Sequence, residues 1–198
     1  MQRWVSWIEQ SESISYGEGM KKNKNVKSDH RIIIRSMIEA DIYIIANEHC
    51  PPWSTVQEQN KKWKKYYNEH ESSIRTVGIV EQDYKILGYG SLLLKSQYPY
   101  FSDIPEIHDV WIYKEYREMG LGSRLIRWLE MLAKKKGYKE IGIGVGLYAD
   151  YGSAQRLYVR LGYVPDGQGI TYKYKPTVPG EPYSLDDELI LWFKKNIT

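Results

Sequence analysis

From Arg117 to Gly122 the chain reads REMGLG, an arginine and then two glycines two apart, and a helical pattern begins directly after them. These residue types at this spacing suit an anion. A helix start offers several backbone N–H groups without intrahelical acceptors, and the positive end of the helix dipole lies at the same point. Gly120 and Gly122 remove the Cβ atoms that would hold an anion off the backbone, and Arg117 and Arg124 are available to offset its charge. Two better-known phosphate loops are absent. No GxxxxGK[ST] occurs, and Leu125 stands where GxGxxG needs its last glycine. A bare strand-to-helix turn would use the same residues, so the motif alone leaves both readings open.

The elements that must position this loop can be placed from periodicity. RIIIRSM (31–37) reads as a buried strand, and residues 38–47 and 55–71 read as helices separated by Pro51 and Pro52. Strands at 73–82 and 85–94 are spaced for a hairpin at Asp83 and Tyr84. EIHDVWIY (106–113) is a strand with Glu106, His108, Val110 and Ile112 on one face; in a regular strand Asp109 faces away with Ile107 and Trp111. A helix carries Leu125, Ile126, Leu129, Leu132 and Ala133. In the next strand, KEIGIGVGL, Gly142, Gly144 and Gly146 share one face, which admits either a close ligand or a bulky neighbour such as Trp128. A second helix carries Ala154, Leu157, Tyr158 and Leu161, and GITYKYKP (169–176) and DELILWFKKN (187–196) read as final strands. The order is βααβββαβαββ.

Length and composition bound the rest. With 198 residues, 42% of them hydrophobic, the chain suffices for one domain. Residues 1–30 lack sustained periodicity, and the basic run from Met20 to His30 reads as part of a flexible leader or arm, with Met20 as an alternative start. A net charge of +3 spread along the chain gives little support for nucleic-acid binding. No membrane span or secretory signal is indicated, and Cys50 is the single cysteine, so a cytoplasmic location is expected. No CxxC, HExxH or EF-hand pattern suggests a metal. Eighteen tyrosines against two phenylalanines suggest that some line wet clefts.

The segments VWIYKEYREMGLGSRL (110–125) and YGSAQRLYVRLGYVPDG (151–167) resemble the GCN5-related N-acetyltransferase (GNAT) superfamily, and the resemblance covers about residues 31–198. It implies an α/β (α+β) domain, a mixed, mostly antiparallel sheet of six to seven strands flanked by about four helices. It also implies acetyl-CoA as acetyl donor, with no metal. The pyrophosphate would lie over Arg117, Glu118, Met119, Gly120, Leu121, Gly122 and Ser123, and the backbone of Val110, Trp111 and Ile112 would pair with the pantetheine arm. The resemblance points to Tyr158 as the acid that protonates the leaving thiolate and to Glu106 as the base; His108, on the same strand face, has an imidazole suited to the same task. Many members of the superfamily use only a water chain for this step. One departure stands out: where the family often has an asparagine that helps hold the cofactor arm, this chain has Tyr151.

The acceptor side would form around His49 to Trp53 and Tyr183 to Glu188, where Asp186, Asp187 and Glu188 attract a cationic amine and Trp53, Tyr148 and Tyr151 flank its apolar part. A small-molecule amine, an aminoglycoside or a polyamine, is the expected acceptor, with a protein N-terminus or lysine as alternative. A non-catalytic acyl-CoA-binding module is the alternative of a different class. A monomer or a homodimer paired through its last strand fits equally, and neither nucleic acid nor membrane is expected as a partner.

Overall fold

The computed structural model describes residues 31–198, so the expected leader, its basic run and Met20 lie outside the described residues. The chain forms β1 (Ile33–Ser36), α1 (Ala40–Glu48), α2 (Val56–Glu71), β2 (Arg75–Gln82), β3 (Lys85–Leu93), β4 (Glu106–Ile112), α3 (Leu121–Lys135), β5 (Glu140–Gly146), α4 (Gly152–Arg160), β6 (Val164–Tyr172), β7 (Lys175–Pro176) and β8 (Leu189–Asn196). Local chemistry fixes several boundaries. Thr55 starts α2 through a capping box, its side chain accepting from the Glu58 N–H while the Glu58 carboxylate accepts from the Thr55 N–H. Asp83 and Tyr84 join β2 to β3 at positive φ of 51° and 65°, the geometry of a type I′ turn.

The strands make one sheet in the order β1-β2-β3-β4-β5-β8-β6-β7. Every pairing is antiparallel except that of β4 with β5. The expected single strand over 169–176 is instead a hairpin, turned at Lys173 and Tyr174 with φ of 52° and 64°. That turn contains no glycine, proline or asparagine, so the alternating pattern conceals it.

Helices cover both faces of the sheet. Val77 and Ile79 of β2 pack against Ile42, Ile45, Trp63 and Tyr66 of α1 and α2, while Val80 on the other face joins Leu121, Leu125, Ile126 and Leu129 of α3. Trp128 belongs to this side, where a Cβ on Gly78 would lie 2.6 Å from its ring. The glycine face of β5 therefore has other neighbours. A Cβ on Gly142 would lie 2.0 Å from Phe101, one on Gly144 2.9 Å from Trp192, and one on Gly146 2.4 Å from Tyr151.

Two irregularities break the middle of the sheet. The parallel pair β4/β5 is registered at Glu106 with Gly142 and Ile107 with Ile143 only, and beyond these the strands part. Against β3, β4 carries one extra residue: Tyr89 faces Trp111 but Ser91 faces His108. This bulge centres on Asp109, at φ 53°. The expectation that Asp109 faces away from Glu106 and His108 assumed a regular strand; the bulge turns it toward them.

Candidate active site

The REMGLG loop lies where β4 ends and α3 begins. Glu118 and Gly120 adopt left-handed conformations, φ 64° and 74°, and alternation of left-handed residues with ordinary ones curls successive N–H groups around a concavity. No side chain caps α3, and its first turn closes only when the Arg124 N–H reaches the Gly120 carbonyl at 3.1 Å. The N–H groups of Leu121, Gly122 and Ser123 therefore precede the first intrahelical bond. Arg117 donates Nε to the Ile112 carbonyl at 2.9 Å and lies over the Trp111 ring at 5.0 Å, which holds its guanidinium against the end of β4 beside the loop. Arg124, expected beside the anion, instead holds the carbonyl of Ile32 at 2.8 Å.

Next to this loop, in the gap between β4 and β5, is a cleft of about 420 Å³. One wall is β4 itself. Glu106 is only 3% exposed, and its Oε2 accepts from the Ser96 hydroxyl at 2.5 Å. Its Oε1 has no hydrogen-bond partner among the described residues and is open to the cleft. Burial pushes the Glu106 carboxyl above its ordinary value, against the opposing pull of His108, Ser96 and Arg75. The His108 Nδ1 lies 3.4 Å from Nη1 of Arg75 and 3.7 Å from Oδ2 of Asp109. A proton on Nδ1 directed at Asp109 leaves the Nε2 lone pair for the cleft; acceptance from Arg75 does the reverse.

Asp109 is the residue the regular-strand reading missed. Its Oδ2 collects the Tyr66 hydroxyl at 2.7 Å and the Lys62 ammonium at 2.8 Å. Burial works to raise its pKa, but His108, Lys62 and Tyr66 outweigh that and bring it down to about 2. Behind this wall the buried Arg75 binds Glu69 and the Ser91 hydroxyl, each at 2.7 Å, and stacks on Tyr66 at 3.9 Å. Lys62, Arg75, Ser91, Ser96, Tyr89 and Tyr174 had no signal in the sequence, because each is ordinary for its own element and only the tertiary fold gathers them.

The opposite wall comes from β5, α4 and the approach to β8. Tyr158 is 6% exposed, and burial raises its pKa; its hydroxyl has no partner among the described residues and opens on the cleft. Tyr151 presses on Gly146 and donates to Asp187 at 2.9 Å, and the Tyr148 hydroxyl also bonds Asp187. Trp53 meets Trp111 edge to face at 6.2 Å near the mouth. Of the residues expected to act, Glu106, His108, Val110, Trp111, Tyr158, Trp53, Tyr151 and Asp187 line the cleft together. Tyr148 acts on it through Asp187. Asp186 does not line it: its carboxylate takes the Tyr172 hydroxyl at 3.0 Å and the Glu188 N–H at 3.0 Å, closing a turn, while Glu188 reaches the cleft. Ile112 contributes its carbonyl rather than its side chain.

Among the described residues there is no grouping that would hold a metal ion and no helix long and apolar enough to cross a membrane. At the sequence level no curated protein matches the chain. Many solved structures do, and three illustrate the range. The structure of yncA from Salmonella typhimurium with its cofactor acetyl-CoA is 17% identical, at a TM-score of 0.62 over 85% of this chain and 95% of that one. Aminoglycoside 6′-acetyltransferase type Ii is 17% identical, at 0.60 over 84% and 97%. The Salmonella typhimurium acetyltransferase that modifies the N-terminal serine of ribosomal protein L7/L12 is 12% identical, at 0.61 over 83% and 94%. At these identities the likeness is one of overall fold. The model of the acetyltransferase (GNAT) family matches residues 40–163, which include the loop, the cleft-lining part of β4 and the tyrosine of α4, and the chain belongs to that family.

Proposed function

We propose that this chain is an acetyl-CoA-dependent N-acetyltransferase that moves an acetyl group to a primary amine of a small molecule by direct attack, with both substrates bound at once. The reading rests on one observation: a helix start with no side-chain cap and a cleft lined by Glu106, His108 and Tyr158 flank the same parted pair of strands.

The geometry of the loop supports a place for the cofactor. A Cβ on Gly122 would stand 3.4 Å from Leu157 and 4.0 Å from Ile112, ordinary contact distances, so no side chain crowds the backbone at this point of the loop. In this proposal the N–H groups of Leu121, Gly122 and Ser123, with Arg117, bind the pyrophosphate. The edge of β4 at Val110, Trp111 and Ile112, which has no partner strand there and at which Arg117 already holds the Ile112 carbonyl, orients the pantetheine amides. Bound there, acetyl-CoA supplies an activated acyl group with a thiolate as leaving group.

The chain's own residues have three tasks. The acceptor arrives as an ammonium and must lose a proton; Glu106 Oε1 takes it, and a raised pKa makes this carboxylate a stronger base than an exposed one. A β4 backbone N–H at the parting of the strands steadies negative charge developing on the carbonyl oxygen. Tyr158 returns a proton to the departing sulfur, and its raised pKa keeps that proton in place at neutral pH. A small acceptor is favoured because the cleft is walled by Trp53, Tyr151 and Asp187.

Release of CoA thiol across a panel of primary amines tests the proposal. Turnover with at least one amine is expected, reduced on the order of 100-fold or more in Tyr158→Phe. Tight acetyl-CoA binding with no turnover on any amine would instead favour the non-catalytic binding module.

A further inference from the structure

We infer that Asp109 seats a second cationic group of the acceptor, that Lys62 occupies that seat when no acceptor is bound, and that the preferred acceptor is therefore a diamine. The inference rests on the acetyltransferase reading and adds to it the class of amine.

The two Asp109 oxygens are unequally occupied. Its donors, Tyr66 and Lys62, both converge on Oδ2, and the nearby His108 ring also lies nearest that atom. No described residue donates to Oδ1, although the side chain is 30% exposed and lines the cleft. Three residues earlier on the same strand, Glu106 likewise has Oε2 bound and Oε1 open. The β4 wall thus offers two carboxylates, each with one oxygen to which no described residue donates, and on Asp109 the other oxygen is shared by Tyr66 and by Lys62, whose departure frees the seat for a substrate ammonium. A primary amine being acetylated needs only one of them. Two carboxylates three residues apart on a strand lie within about 10 Å of each other, a span a short diamine can bridge.

Lys62 shows what the second seat accepts. It is an alkylammonium on a flexible stem, placed 2.8 Å from Asp109, 5.3 Å from the Tyr66 ring centroid and 5.6 Å from that of Trp63. Its side chain is 37% exposed, so it can swing toward solvent and give way. The rings that receive its charge would receive a substrate's equally. The remaining wall repeats the preference: Asp187 and Glu188 add negative charge, and Lys62 is the only lysine or arginine among the lining residues.

The test compares n-butylamine with 1,4-diaminobutane and 1,5-diaminopentane as acceptors for the wild-type chain, Asp109→Asn and Lys62→Met, read as kcat/KM ratios of diamine to monoamine. Asparagine tolerates the left-handed backbone at this position, so Asp109→Asn keeps the bulge. The wild-type ratio should favour a diamine, and Asp109→Asn should lower it by about 10-fold or more, mainly through KM. Lys62→Met should raise the ratio by lowering the diamine KM, an effect opposite to that of losing a structural ion pair. Equal ratios in wild type and Asp109→Asn, or a lower ratio in Lys62→Met, overturn the inference while monoamine turnover leaves the acetyltransferase reading standing. Absence of turnover on all three amines and on the wider panel removes both.

Discussion

Replacing Gly120 and Gly122 by alanine, one at a time, separates two physical needs that the sequence motif presents as one. Gly120 is at φ 74°, and a Cβ built there meets nothing within 4 Å. Its need is conformational. A left-handed residue with a side chain costs about 1–2 kcal/mol, partly offset by about 0.4–1 kcal/mol from the smaller unfolded-state entropy of alanine. The net loss is about 1 kcal/mol, which lowers Tm by about 2–4 °C in a chain of this length. Gly122 has an ordinary φ and lies in the first turn of α3, where a Cβ would make normal contact with Leu157 at 3.4 Å. Its need is spatial, and one methyl is accommodated, so Gly122→Ala should melt at the wild-type temperature or slightly above it. Binding should divide the same way. If the loop's N–H groups hold the pyrophosphate, Gly120→Ala disturbs their aim and raises the acetyl-CoA KM, while Gly122→Ala changes it little and Gly122→Leu, whose side chain extends past the contact distance, raises it sharply. Thermal melts with and without CoA, alongside initial rates, decide the matter. An unchanged Tm in Gly120→Ala together with a loss of several degrees in Gly122→Ala would refute the reasoning.

The Glu106 carboxyl has a raised pKa, so acetyl transfer should fall as pH drops through a range above that of an exposed carboxylate; Glu106→Gln should abolish this acidic limb in a pH–rate profile along with most of the rate. The same shift has a stability consequence. The fold favours the protonated form, stabilisation is present at low pH and lost as pH rises through the folded-state pKa, and so Glu106→Gln should melt no lower than wild type at pH 8. At Gly142 a Cβ would lie 2.0 Å from Phe101, so Gly142→Ala should cost about 1–3 kcal/mol by overpacking, and adding Phe101→Leu should recover part of that loss in denaturant melts.

How much of the molecule could be read from the sequence depended on whether the signal was local. The loop of Arg117 to Gly122 could, because glycine spacing, a preceding strand and a following amphipathic helix are all contiguous. The β2–β3 hairpin could, because Asp83 and Tyr84 alone separate two apolar runs, and so could the alternation of glycine with Ile141, Ile143 and Val145 in β5. The hairpin of β6 and β7 could not, since Lys173 and Tyr174 take up left-handed geometry without the residues that usually mark it. The glycine face of β5 was recognised as bare, but its partners were not, because Phe101, Trp192 and Tyr151 arrive from three separate parts of the chain. Asp186 and Asp187 are adjacent and chemically identical, yet Tyr172 draws one into a turn while Tyr148 and Tyr151 bring the other to the cleft. No local pattern distinguishes them.

The bulge in β4 marks the limit of such reading, and it links the two halves of the proposed chemistry. Period-two alternation puts Glu106 and His108 on one face and Asp109 on the other, and that assignment fails at one residue, where the backbone takes φ 53°. Asp109 is among the few residue types that accept this conformation at modest cost, since its short polar side chain can be held locally. Here Tyr66 and Lys62 supply the hold. The extra residue lies just beyond the last registered pair of β4 with β5, at Ile107, where the two strands begin to part. A β4 that stayed in register with both neighbours would bond the edge assigned to pantetheine and would turn Asp109 out of the cleft. In the proposed chemistry the position of the bulge therefore sets both the opening for the acetyl donor and the charge that greets the amine. Deleting the extra residue should remove both functions together, whereas Asp109→Asn should remove only the second.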